Sequence, residues 1–270
     1  MNSKGDDHRS PFFSFILGAY NCEQTVERSI RSLLDQSFQD FEIVVVNDGS
    51  TDSTERILEE ISADDNRVRL IHQSNMGLTK SLNRAIDASR GIYLVRHDAD
   101  DISAASRLEM LYRACVQGPD LIFSKAHVVR DGRPVKSIPS NRLVRTRAAL
   151  WRSLKYGNVL VHGTLCMKRS CVDSDGYDER WRYAQDYELI LRMVRNGANI
   201  SFISENLYEF HMSDESISSK KRSEQDECAS KAVRLHVGTD RYLITGKPSH
   251  FQIPLKLLRA LEATIRPAWF

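Results

Sequence analysis

No stretch of the 270-residue sequence approaches 18 uncharged apolar residues, so no membrane-spanning helix is expected. Met1 to Ser10 is polar and lacks the apolar core of a signal peptide. Cysteine is sparse. The five present, Cys22, Cys115, Cys166, Cys171 and Cys228, are odd in number and show no CxxC or Cys/His ligand spacing. A disulfide framework and a zinc site are therefore not expected, and the thiols read as reduced and mostly packed. These absences point to a cytoplasmic protein. With 13 Gly, 7 Pro and no short repeat, collagen and low-complexity disorder are excluded. A charge excess is missing too. The sequence has 38 Lys/Arg and 36 Asp/Glu, whereas a general nucleic-acid binder carries a strong basic excess.

What is present is an ordinary globular composition, 41% hydrophobic and 27% charged. The length suits two domains by simple division, but single α/β domains often reach about 250 residues. Charge is unevenly spread. Ser219 to Phe270 holds ten Lys/Arg against five Asp/Glu, net +5, leaving 28 against 31, net −3, for the preceding 218 residues.

Phe12–Leu17, Phe41–Val46, Ile92–Val95 and Leu121–Phe123 are short, nearly continuous apolar runs that read as strands, and Val68–His72 reads as a further strand. Between them, apolar residues fall at helical spacing: Val26, Ile30, Leu33; Ile57, Leu58, Ile61; Leu78, Leu82, Ala85, Ile86; Leu108, Leu111, Cys115. Asp52 or Ser53 is placed to cap the second of these helices. Such alternation predicts an α/β fold with a mostly parallel central sheet flanked by helices. Beyond residue 131 the pattern is weaker. Arg133 to Arg145 reads as a polar loop, 146–156 and 185–195 as helices, and 199–203 as a strand. Residues 1–218 are expected to form one catalytic domain and 219–270 a basic helical extension.

Two acidic clusters, Asn47-Asp48-Gly49 and Asp98-Ala99-Asp100-Asp101, stand at strand C-terminal ends, the edge where open α/β sheets bind ligands. Asp-x-Asp there suits Mg²⁺ or Mn²⁺ bridging to a diphosphate. A solvated acidic turn has the same spelling. Asp48 can accept from a base N–H or a ribose hydroxyl, or simply close an Asx turn.

These segments carry a family resemblance. Ser14-Phe15-Ile16-Leu17-Gly18-Ala19-Tyr20-Asn21, Val44-Val45-Val46-Asn47-Asp48-Gly49-Ser50, Asn75-Met76-Gly77-Leu78, Asp98-Ala99-Asp100-Asp101 and Ala184-Gln185-Asp186-Tyr187-Glu188-Leu189 occur in this order. Together they resemble the family 2 inverting glycosyltransferases over roughly residues 12–218. The resemblance implies a GT-A fold, a nucleotide-sugar donor and Mn²⁺ or Mg²⁺. It implies that Ala19 and Tyr20 line the base pocket, Asp48 binds the base, and Asp98 contacts the ribose or metal region. Asp100 would hold the metal, and Asp186 would be the catalytic base.

The sequence departs from the pattern in places. Gly18 replaces a common Pro. Gln185 stands where Glu is usual, so it can hydrogen-bond an acceptor but brings no charge. Leu82 replaces an Arg before Asn83, a donor-side position. Lys80 is either a substitute phosphate contact or a solvated helix lysine. His211 is either a metal ligand or a packed histidine. His162 resembles part of the acceptor-facing loop. Trp181 either stacks on a sugar or packs in the core.

In the tail, Leu257, Leu258, Leu261 and Ile265 share a helical face flanked by Lys256, Arg259 and Arg266. That helix suits peripheral contact with an anionic membrane, where a lipid-linked acceptor would lie, or docking on the body. The expected activity is metal-assisted, inverting transfer of a sugar, from UDP in the first instance, to a glycan or lipid-linked saccharide. Two other classes remain open. A nucleotidyltransferase also sets acids and metal at an α/β edge, but it would show a Gly-rich basic loop after the first strand. A non-catalytic nucleotide-sugar-binding protein is kept open by Gln185.

Overall fold

Phe13, Phe15, Ile16 and Leu17 are wholly buried, as a strand covered on both faces must be. They form β1 (Phe13–Ala19), which pairs in parallel with β2 (Phe41–Asn47) and β4 (Tyr93–Arg96). Next to β2 lies β3 (Val68–His72), also parallel. The second half of the sheet uses β5 (Ile102–Ser103), β6 (Leu121–Arg130), β7 (Arg133–Ile138), β8 (Cys166–Lys168) and β9 (Ile200–His211). The computed structural model describes residues 10–130, 132–140, 146–172, 176–212 and 221–238. Among these residues the strand order is β3-β2-β1-β4-β8-β6-β9-β5, with β7 paired to β6.

The short strand β8 is antiparallel to both β4 and β6, while β6 and β9 are parallel. Two reversals restore the direction, so β6 and β9 run the same way as β1 to β4. Their C-terminal ends therefore share one edge, and that edge carries the site.

The two faces alternate residue by residue. Ile16, Val44, Val46 and Leu94 face one core, while Phe15, Leu17, Ile43, Val45 and Val95 face the other. Three helices cover the second face: α1 (Val26–Leu34), α2 (Thr54–Asp64) and α4 (Arg107–Cys115). The first is covered by α3 (Leu78–Ala88), α5 (Arg147–Leu154), α6 (Gln185–Arg195) and α7 (Arg222–Val237). In α1 the buried residues Val26, Ser29, Ile30 and Leu33 follow the i, i+3, i+4, i+7 stripe. The α2 N-terminus is served by one of the two expected residues. Ser53 makes no capping bond, and Asp52 Oδ1 instead accepts from the Thr54 amide at 3.0 Å.

Residues 133–138 are a strand, not the expected loop. β7 pairs antiparallel along β6, with a register irregularity at Val128/Val129. Its residues are mostly exposed, so the segment carries no buried-strand pattern, and pairing with β6 sets its conformation. The expected strand at 199–203 is the start of twelve-residue β9, which continues to His211. Helix α7 packs on α6 and buries Ala229, Ala232 and Val233 in the first core. The amphipathic stretch from Leu257 to Ile265 lies outside the described residues.

Candidate active site

Asp48 follows β2 and is 4% exposed. Its amide donates to the Ala19 carbonyl at 2.9 Å. Its Oδ1 accepts from Gln73 Nε2 at 2.6 Å and the Met76 amide at 2.8 Å, and its Oδ2 from the Gly77 amide at 2.9 Å. An ionised carboxylate has about four lone-pair sites, so one remains, on Oδ2. The carboxylate thus fastens the 73–77 loop across the end of β1. Gly49 has φ +69°, and a Cβ there would sit 2.7 Å from the Asn75 amide nitrogen, so the turn after Asp48 requires glycine. Ala19 is buried and Tyr20 is exposed at this rim.

The next strand end holds three acids. Asp98 Oδ1 accepts from Arg96 Nη2 at 2.5 Å, and the Asp98 amide donates to the Tyr208 hydroxyl at 3.1 Å. Ser29 on α1 donates to the Asp98 carbonyl at 3.0 Å. Crowding by protein, then the neighbouring Asp98, push the Asp100 carboxyl up to about 6. Asp100 keeps solvent access, so that push reflects the dense protein around it rather than closure from water. Asp101 is buried and held well above the carboxylate range by burial and both neighbours. Its Oδ1 accepts from the His211 amide at 2.7 Å, while Oδ2 has no partner.

Asp186 stands in the first turn of α6, facing the same acids. Its Oδ2 accepts from Asn158 Nδ2 at 2.8 Å. Burial, aided by Asp98, raises it above the usual carboxylate range, against backbone hydrogen bonds that lower it. Ala184, just before this helix, has φ 55°, the left-handed region, at a cost of roughly 1 kcal/mol or more. His162 Nε2 lies 2.7 Å from the Tyr177 hydroxyl, and burial holds this histidine well below its ordinary value and hence neutral. Gly163 beside it leaves no room for a side chain, because a Cβ would collide with the buried Tyr208 hydroxyl.

Other expected site residues have different neighbours. Asn83 holds the Tyr177 backbone with its side-chain amide. Its Nδ2 donates to the Tyr177 carbonyl and its Oδ1 accepts from the Tyr177 amide, both at 2.8 Å. Lys80 Nζ is 4.0 Å from Glu179, at the same turn, rather than beside an acidic strand end. Trp181 packs against the first core, and its Nε1 donates to Asp178 at 3.2 Å. Gln185 opens α6, half-buried. Arg28 Nη2 lies 3.4 Å from His211 Nδ1. Arginine only donates, so Nδ1 accepts and the proton sits on Nε2, 3.5 Å from Glu209.

Sequence reasoning missed Arg96, Tyr208, Tyr177 and Asn158. Only Arg96 left a signal, as a charged residue closing the apolar run Tyr93-Leu94-Val95. Tyr208 and Tyr177 look like ordinary core aromatics until the fold brings them beside Asp98 and His162.

Among the described residues, no three His, Cys, Asp or Glu side chains form a ready ligand set. The acidic strand end nevertheless fits a hard divalent cation. Asp101 Oδ2 is unpartnered, Asp98, Asp100 and Asp101 crowd one strand end, and all available donors are oxygens.

The glycosyl transferase family 2 model matches residues 14–176. The chain belongs to that family. This glycosyltransferase is 32% identical over 225 residues to a protein named as glycosyltransferase EpsE of Bacillus subtilis (strain 168), covering 79% of this chain and 77% of the relative. It is 28% identical over 228 residues to a chondroitin synthase of Escherichia coli, covering 83% of this chain but 32% of that protein. Among solved structures, S. aureus TarS 1–349 in complex with UDP-GlcNAc superposes with a TM-score of 0.67 at 22% identity, covering 83% of this chain and 66% of that one. The mannosyltransferase PcManGT from Pyrobaculum calidifontis, in complex with GDP-Man and Mn2+, gives 0.62 at 16% identity, covering 95% and 70%. The family 2 glycosyltransferase thus has the GT-A fold.

Proposed function

We propose that this glycosyltransferase moves a sugar, with inversion at the anomeric carbon, from a UDP-sugar to a hydroxyl of a glycan or lipid-linked saccharide. The observation that carries this reading is Asp186. It is a half-buried carboxylate raised above its ordinary range, across from the acidic strand end. A base of that kind takes the proton of the acceptor hydroxyl as its oxygen bonds to the anomeric carbon. The bond from that carbon to the diphosphate oxygen breaks on the opposite side, and the nucleoside diphosphate departs. Asn158 orients Asp186, and neutral His162 with Tyr177 lines the same wall.

On the donor side, Asp48 holds the 73–77 loop against the β1 end, beside exposed Tyr20, and keeps one lone pair for the base. Asp100, with Asp98 and Asp101 behind it, would hold Mn²⁺ or Mg²⁺, which supplies countercharge to the departing diphosphate. The crowding of Asp98, Asp100 and Asp101 at one strand end suits a site that receives a cation. With no membrane-crossing helix among the described residues, a lipid-linked acceptor would be met at the membrane surface.

The test is a donor screen that follows nucleoside diphosphate release from a panel of UDP- and GDP-sugars with Mn²⁺ or Mg²⁺. Metal-dependent release from a UDP-sugar is expected. Release from no donor, or undiminished release by Asp186→Asn with its acceptor present, overturns the reading.

A further inference from the structure

Arg28 sits on α1 with its guanidinium over the mouth of the acidic strand end. Its Nη2 donates to the Asp100 carbonyl at 3.2 Å and lies 3.4 Å from His211 Nδ1. Three separate elements meet there: α1, the turn after β4, and the end of β9. Neither anchor is a carboxylate. The Asp100 contact is through its backbone carbonyl and the His211 contact through a ring nitrogen. Several other exposed arginines of this protein pair with carboxylates, whereas Arg69 donates to the Ala88 carbonyl and Arg84 to the Gln73 side chain. Arg31 pairs with Glu27, Arg56 with Glu60, Arg113 with Glu109 and Arg180 with Asp178, all at 2.6–3.0 Å. Among the described residues, no carboxylate lies within ion-pair distance of Arg28, although Asp98, Asp100 and Asp101 are next door. Arg28 is therefore held in place without being neutralised.

A fixed, charged and solvent-open guanidinium is suited to a phosphate, which its planar fork can bind with two hydrogen bonds. We propose that Arg28 is a phosphate-binding residue of this enzyme and takes the diphosphate of the nucleotide-sugar donor. The proposal rests on the transferase reading above. The interaction strengthens as the diphosphate gains charge on departure, so Arg28 serves the transition state as well as binding. His211 then acts as a positioning residue, with Nδ1 steadying Arg28 and Nε2–H turned toward Glu209.

The full chain and its Arg28→Gln and Arg28→Lys variants are titrated with UDP and with uridine, in Mn²⁺ and again in EDTA, with GDP and guanosine in parallel. Arg28→Gln is expected to weaken the diphosphate about 10- to 100-fold, to leave the nucleoside within about two-fold, and to do so with or without metal. Arg28→Lys keeps the charge and loses the fork, so it falls between. Equal weakening of diphosphate and nucleoside, or no weakening of either, overturns the proposal and leaves Arg28 a strut between α1 and the Asp100 turn. If the wild-type chain binds UDP and Arg28→Gln binds it equally well, only Arg28 is reassigned. If the wild-type chain binds neither nucleoside diphosphate, this proposal and the transferase reading fall together.

Discussion

Arg96 Nη2 lies 2.5 Å from Asp98 Oδ1, and Arg96 is 1% exposed. Its Nε and Nη1 have no hydrogen-bond partner. A buried guanidinium with two unpaired donors is a poor stabiliser, so its value lies in the charge it sets beside three acids. Arg96→Met is expected to leave Asp98 uncompensated and to lower kcat/KM by about 100-fold or more. The double variant Arg96→Met/Asp98→Asn removes the orphaned charge, so its melting temperature should recover while turnover does not. Recovery of turnover would show that the pair serves packing alone.

Asp186→Asn is expected to lower kcat by about 10²- to 10⁴-fold while donor binding changes little, since only the proton acceptor is lost. Single-turnover kinetics with equilibrium donor titration separates the two.

The raised titration of Asp186 has a definite sign. The base works ionised, so kcat/KM should fall with acid around a midpoint above the ordinary carboxylate value of about 4. Stability runs the other way. A carboxyl raised on folding stabilises the fold below its unfolded pKa, and that contribution is lost as pH rises through the folded value. Asp186→Asn should therefore raise the melting temperature relative to wild type at pH 8 more than at pH 4. A pH series of melts checks this.

Asp48→Ala removes the acceptor of three hydrogen bonds and strands the amides of Met76 and Gly77. A loss of about 1–3 kcal/mol in urea unfolding is expected. Hydrogen exchange should lose protection at those two amides first, and UDP affinity should fall with it.

Helix α7 supplies a paired test of packing. Val233 is fully buried, and Leu235 two positions on is 58% exposed. Val233→Asp should cost about 3 kcal/mol or more, whereas Leu235→Asp should stay within about 0.5 kcal/mol. Equal melting temperatures for the two variants would detach α7 from the core.

Much of this was legible in the chain. Nearly continuous apolar runs from Phe13 to Leu17 and Phe41 to Val46 specify strands covered on both faces, and the single polar residues they contain, Ser14 and Glu42, are buried and hydrogen-bonded to one another at 2.7 Å. Helical stripes such as Val26, Ile30 and Leu33 fix the intervening helices, and the acids at 48 and 98–101 fall where strands end. β7 was not legible, because its mostly exposed residues take their conformation from β6. Short β5 and β8 were too brief for any period to show.

The sequence alone determined the α/β alternation, the strand ends at which the acids gather, and the family, because these depend on local periodicity and ordered motifs. Only the tertiary structure decided what each side chain faces. It turned Asn83 into a clamp for Tyr177, gave three of the Asp48 lone pairs to the 73–77 loop, and brought Arg28, His211 and Asp100 together from three distant segments. Side-chain partners across more than a hundred residues are set by how layers pack, and no spacing in the chain encodes that.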